Sequence, residues 1–71
     1  MVNTKLLQEE MKNHGYTLEK MSVELGKSRT CLFNKIHNKT EFRSSEVNKI
    51  ARILKMSRAT TDKIFFANDV E

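Results

Sequence analysis

Residues that break helices are scarce in this sequence, and this scarcity constrains the fold more than any other feature. The 71 residues contain no proline and only two glycines, Gly15 and Gly26. Proline and glycine mark most tight turns, and an antiparallel sheet needs many of these turns. The alternating apolar pattern of a strand is also never sustained for more than a few residues. We therefore predict an all-α fold, a compact bundle of about five short helices.

Cap and stop signals divide the chain into these helices. The first is predicted over Thr4 to Asn13, before a stop at Gly15. Thr17 and Ser28 are expected to cap the second and third helices, with Gly26 between them. The fourth is expected to start at Ser44 or Ser45, and the fifth to follow a cap at Ser57. Spacings of three and four predict the inward residues Leu7, Met11, Leu18, Met21, Leu25, Leu32, Ile36, Val47, Ile50, Ala51, Leu54 and Ile64.

The length of the chain predicts one domain over residues 1–71. A chain this short buries only about 60% of the surface that its unfolded form exposes, so there is no room for a second functional unit. The last five residues are expected to be frayed, as chain ends often are.

Positive charge is concentrated in one segment. The net charge is +4, yet from Leu25 to Thr40 there is no acidic residue. The basic residues of this segment are Lys27, Arg29, Lys35 and Lys39. A local basic surface of this kind favours a polyanionic partner.

The sequence lacks the residues that are typical of several classes of function. Cys31 is the only cysteine, so an internal disulfide is excluded, in agreement with a reducing cytoplasm. We expect neither a secretion signal nor a membrane span, because the sequence soon becomes amphipathic and charged after Met1 and has no long apolar run. His14 and His37 have no companions at ligand spacing, so no metal and no cofactor are expected. No nucleophile is paired with a base, and we expect no enzymatic activity.

The second and third predicted helices have the local pattern of a helix-turn-helix. Gly26 can adopt the positive φ that the turn requires, and Ser22 is small enough for the contact between the two helices. Leu32 and Ile36 are expected to hold the third helix against the core, which leaves its polar side facing outward.

The residues around this turn resemble the Cro/repressor helix-turn-helix superfamily, and most closely its short phage and prophage regulators. The stretch from Leu25 to Lys39 reads LGKSRTCLFNKIHNK, and Glu41-Phe42 precedes SEVNKIARIL from Ser45 to Leu54. The resemblance covers most of the chain. It implies a lambda repressor-like fold and a cytoplasmic transcriptional regulator that binds operator DNA in a bacterial host.

The resemblance also implies roles for individual residues. The third helix would enter the major groove of double-stranded DNA, because the second helix of such a pair reads base edges. The residues implied to contact bases, or a partner protein, are Ser28, Arg29, Thr30, Phe33, Asn34 and His37. Those implied to contact phosphates are Thr17, Lys20, Lys27, Lys35, Asn38, Lys39 and Arg43.

Two questions stay open at the level of sequence. Leu18, Phe33 and the modest net charge also fit an anti-repressor, which would bind a partner phage repressor through the same face and block its DNA binding. Phe33 can instead pack against the loop from Asn38 to Phe42. Phe65 and Phe66 belong either to the core or to a homodimer interface.

Overall fold

The computed structural model describes residues 1–66, which form five α-helices. They are α1 (Thr4–Asn13), α2 (Leu18–Leu25), α3 (Arg29–Ile36), α4 (Ser44–Ile53) and α5 (Arg58–Phe65). The predicted all-α fold and its five short helices are confirmed. The tail that we expected to be frayed lies outside the described residues.

Four of the helices begin at a side chain that accepts a hydrogen bond from the first turn. Thr17, Ser28 and Ser57 each accept from a backbone N–H three residues later, at 3.1 Å. Asn3 does the same for α1 at 3.2 Å. Such a cap satisfies an N–H that has no partner inside the helix and contributes about 1 kcal/mol. The three caps predicted from the sequence are confirmed.

The connections after α1 to α4 each contain a residue with a left-handed backbone. These residues are Gly15, Gly26, Asn38 and Lys55, with φ values of 72°, 68°, 66° and 54°. The residue after each one donates its N–H to a carbonyl five positions back; from Lys27 to Ser22 the distance is 2.9 Å. This geometry closes the end of a helix and turns the chain sharply.

The core lies where the five helices meet. α2 packs against α3 and α4, and α5 packs against α1 and α4. Most of the inward positions predicted from spacing are buried, whereas Leu18 and Ala51 are half-buried. The buried apolar side chains are Leu7, Met11, Met21, Leu25, Leu32, Ile36, Val47, Ile50, Leu54, Ile64 and Phe65.

Phe65 and Phe66 occupy different environments. Phe65 is buried and packs edge-to-face on Phe42, with ring centroids 5.3 Å apart, whereas Phe66 is exposed. Of the two alternatives that the sequence left open, Phe65 therefore belongs to the core. A homodimer interface through the exposed Phe66 stays a prediction.

The amino-terminal residues tie α3 to α5. The N–H of Asn3 donates to the carbonyl of Ile64 at 2.6 Å, and the hydroxyl of Thr4 donates to the carbonyl of Ile36 at the same distance. Within residues 1–66, no helix has the length and apolar character that a bilayer crossing requires.

Candidate nucleic-acid interface

A three-residue connection, residues 26–28, joins α2 to α3. Gly26 ends α2 in the left-handed conformation and Ser28 caps α3. Ser22 is buried at 3% exposure, and its hydroxyl donates to the carbonyl of Glu19 at 2.7 Å, so no polar atom is left unpaired. α2 and α3 pack against each other directly, and α3 is also held by Thr4 and Glu46.

The two sides of α3 differ in burial. Leu32 and Ile36 are buried at 1% and 3% exposure and anchor the helix in the core. Most of the residues expected to contact bases or a partner lie on the solvent side. Ser28, Arg29, Thr30, Phe33 and His37 are exposed, and Asn34 is half-buried. One side of α3, which starts at its amino terminus with Arg29 and Thr30, thus faces the solvent.

Phe33 lies at the centre of this exposed side. Phe33 is 42% exposed, and its ring packs on the ring of His37 at a tilt of 39°, with ring centroids 4.2 Å apart. Phe33 and His37 line a groove of about 310 Å³ together with Gln8, Met11, Lys12, Tyr16, Leu18 and Ile36. The groove lies between α3, α1 and the start of α2, so Phe33 faces these elements. Phe42, from the loop that was the alternative packing partner, contacts Phe65.

The basic residues of the segment from Leu25 to Thr40 are not equivalent. Arg29 and Lys39 are exposed and form no ion pair with any residue in the described part of the chain. Lys35 is buried at 8% exposure, and its Nζ lies 2.7 Å from both carboxylate oxygens of Glu46. The expectation that Lys35 contacts phosphate is corrected, because its ammonium group already has a buried partner.

Glu46 contacts three residues of the candidate interface, Lys27, Lys35 and Arg43. Its Oε1 also accepts the backbone N–H of Arg43 at 2.8 Å, and its Oε2 lies 3.6 Å from the Nζ of Lys27. Burial raises the pKa of the Glu46 carboxyl, but the Arg43 N–H, the Lys35 hydrogen bond and charge, and the Lys27 charge together outweigh burial. The pKa therefore lies below the ordinary value for glutamate, and Glu46 is ionised at neutral pH.

The other residues expected to contact phosphate are found in different situations. Asn38 is engaged with the amino-terminal segment, since its side chain accepts from the N–H of Val2 at 2.7 Å and donates to the carbonyl of Val2 at 3.0 Å. Lys20 lies over the ring of Tyr16, with its Nζ 5.2 Å from the centroid. Thr17 caps α2, and Arg43 is exposed just before α4.

Glu46 is a site residue that was not predicted from the sequence. The residue lies at the third position of α4, where a glutamate side chain commonly accepts a hydrogen bond from the N–H of the N-cap residue. This position could have predicted its bond to Arg43. Its pairing with Lys35 and Lys27 joins residues 11 and 19 positions apart, and no spacing rule reaches that far. Among residues 1–66, no cluster of three or more His, Cys, Asp or Glu side chains is placed to hold a metal ion.

Comparison with known proteins gives no match. No protein-family model, no curated protein and no solved structure matches this chain.

Proposed function

We propose that this protein is a non-enzymatic transcriptional regulator of the phage or prophage type. In this proposal α2 and α3 form a helix-turn-helix, and α3 enters the major groove of operator DNA. The observation that carries the proposal is the division of α3 into a buried side, held by Leu32 and Ile36, and an exposed polar side that begins at Ser28. A rigid helix with its amino-terminal side chains free is suited to reading base edges.

The chemistry of the exposed side supports base recognition. Arg29 can donate two hydrogen bonds to guanine O6 and N7, and the Thr30 methyl group or the Phe33 ring can contact a thymine methyl. Asn34, although half-buried, has the amide that pairs with adenine. Lys39 lies just past α3 and is free to contact phosphate, which contributes to affinity and fixes register.

A comparison of Arg29→Ala with Lys39→Ala tests the proposal. Sequences selected from a random duplex pool with the unmodified protein would be retested with each variant. We expect Arg29→Ala to relax sequence preference by about 1–3 kcal/mol at one base position. Lys39→Ala should weaken binding to every duplex alike and reduce the salt slope by about one. If the unmodified protein shows no salt-sensitive duplex binding, the proposal fails.

A second function is favoured by the groove beside Phe33. An exposed aromatic side chain next to an apolar groove is typical of a protein-binding surface, which fits an anti-repressor that covers the DNA-binding face of a phage repressor. In this case the protein would co-purify with the repressor encoded beside it, and Phe33→Ala would abolish the complex. Val23→Ala is the matched control, because Val23 is an exposed apolar residue outside the groove. Operator binding without any repressor contact would contradict this second function.

A further inference from the structure

The basic surface around α3 carries fewer free cations than the sequence indicates. Of the four basic residues between Leu25 and Thr40, Lys35 is buried against Glu46 and Lys27 lies 3.6 Å from the same carboxylate. Lys27, Lys35 and Glu46 together carry a net charge of +1 instead of the +2 of the two lysines alone. The side chain of Lys27 is 39% exposed, so it has room to reach the solvent if Glu46 releases it.

The contacts of Glu46 with Lys35 and Arg43 are shorter than its contact with Lys27. Its carboxylate is held by two short contacts to Lys35 and by the Arg43 N–H at 2.8 Å, at a site with 6% exposure. Salt screens such a buried charge much less than an exposed one. Lys27 is exposed and Glu46 is buried, so salt weakens their attraction less than it weakens contacts between two fully exposed charges.

We propose that Glu46 is a specificity-determining residue, because it withholds Lys27 from the DNA backbone. This inference rests on the proposed DNA-binding function. Contacts to phosphate strengthen binding to all sequences, whereas contacts to base edges discriminate between sequences. With Lys27 held by Glu46, a smaller share of the binding free energy comes from phosphates, and the side chains on the exposed side of α3 contribute a larger share.

The experiment compares variants of the full chain by fluorescence anisotropy with a random-sequence duplex over a salt series. Glu46→Gln alone leaves the Lys35 ammonium buried without a counter-charge and can fail to fold. The main variant is therefore Lys35→Met combined with Glu46→Gln, which removes one charge of each sign and keeps the net charge at +4. Circular dichroism would establish that it folds. Lys27→Gln is then made in the unmodified chain and in the double variant, with Lys39→Gln as the matched control.

We expect the double variant to bind with a salt slope steeper by about 0.9, which corresponds to an affinity loss about 3.5-fold larger between 50 and 200 mM salt. Adding Lys27→Gln to the double variant should restore the original slope. In the unmodified chain, Lys27→Gln should leave the slope unchanged, whereas Lys39→Gln should flatten it.

Two results would overturn this inference alone: an unchanged slope in the double variant, or a Lys27→Gln effect in the unmodified chain as large as that of Lys39→Gln. A lack of any salt-sensitive binding by the unmodified protein would overturn it together with the proposed function. The titration of the unmodified chain, carried out first, separates the two kinds of failure.

Discussion

At the scale of single residues, Glu46 and Lys35 form the most consequential pair. Both residues are buried, and their two contacts of 2.7 Å pair a charge of each sign inside the fold. Taking two charges out of water is costly, and a buried pair is maintained only when its hydrogen bonds are good. Here the Arg43 N–H supplies an additional bond, so the pair links α3 to the start of α4.

The pair makes stability depend on acid pH. The pKa of Glu46 is lowered in the folded protein, so its ionised form stabilises the fold above the unfolded pKa of about 4.3. This contribution is lost as the pH falls through the lower pKa of the folded state. We expect the urea concentration at the midpoint of unfolding to decrease as the pH is lowered from about 5 to about 3. In the variant with both Lys35→Met and Glu46→Gln, this concentration should decrease less over the same pH range. An equal decrease would contradict the assignment to Glu46.

At the scale of the helices, the residues at which helices begin were easier to predict than the residues at which they end. Thr17, Ser28 and Ser57 predict where their helices start, because a hydroxyl cap bonds to a backbone N–H only three residues later. Gly15 and Gly26 were recognised as stops, but Asn38 and Lys55 adopt the same left-handed conformation with φ values of 66° and 54°. Asparagine tolerates this region, whereas lysine does so only at a cost, since its Cβ crowds the backbone. The sequence around Lys55 contains no signal for such a turn.

This difference predicts opposite effects of two substitutions. Gly26→Ala should destabilise the protein by about 1 kcal/mol through backbone strain alone, because an added Cβ meets no atom within 4 Å. Lys55→Gly should relieve the same strain and stabilise the fold by up to about 1 kcal/mol, less the entropy that glycine adds to the unfolded chain. Urea unfolding measures both. A destabilising Lys55→Gly would show that strain at this position is negligible.

At the scale of the whole molecule, stability depends on one small core. Leu7, Met21, Leu54 and Ile64 have no exposed surface, and they come from α1, α2, the end of α4 and α5. The amino-terminal residues add hydrogen bonds that span more than 30 positions, from Val2 to Asn38 and from Thr4 to Ile36. Truncating a side chain in this core should therefore destabilise the whole domain.

Leu54→Ala should destabilise the protein by about 2–5 kcal/mol, because it removes buried methyl groups and leaves a cavity. In a domain of this size that loss lowers the melting temperature by at least about 8 °C. Val23→Ala is the comparison, since Val23 is 74% exposed and its truncation should change the free energy of unfolding by less than about 0.5 kcal/mol. Equal effects of the two substitutions, measured by thermal denaturation, would contradict the position of the core.

The sequence by itself determined the five helices and most of their inward residues, because caps, stops and spacings of three or four act over a single turn. Tertiary structure decided which charged and polar side chains remain available to a partner. Lys35 reads as one more surface cation, yet it is buried against Glu46, and Asn38 is taken up by the amino-terminal segment. Phe65 enters the core while its neighbour Phe66 stays exposed. These outcomes depend on how helices far apart in the sequence pack together, and no local pattern encodes that packing.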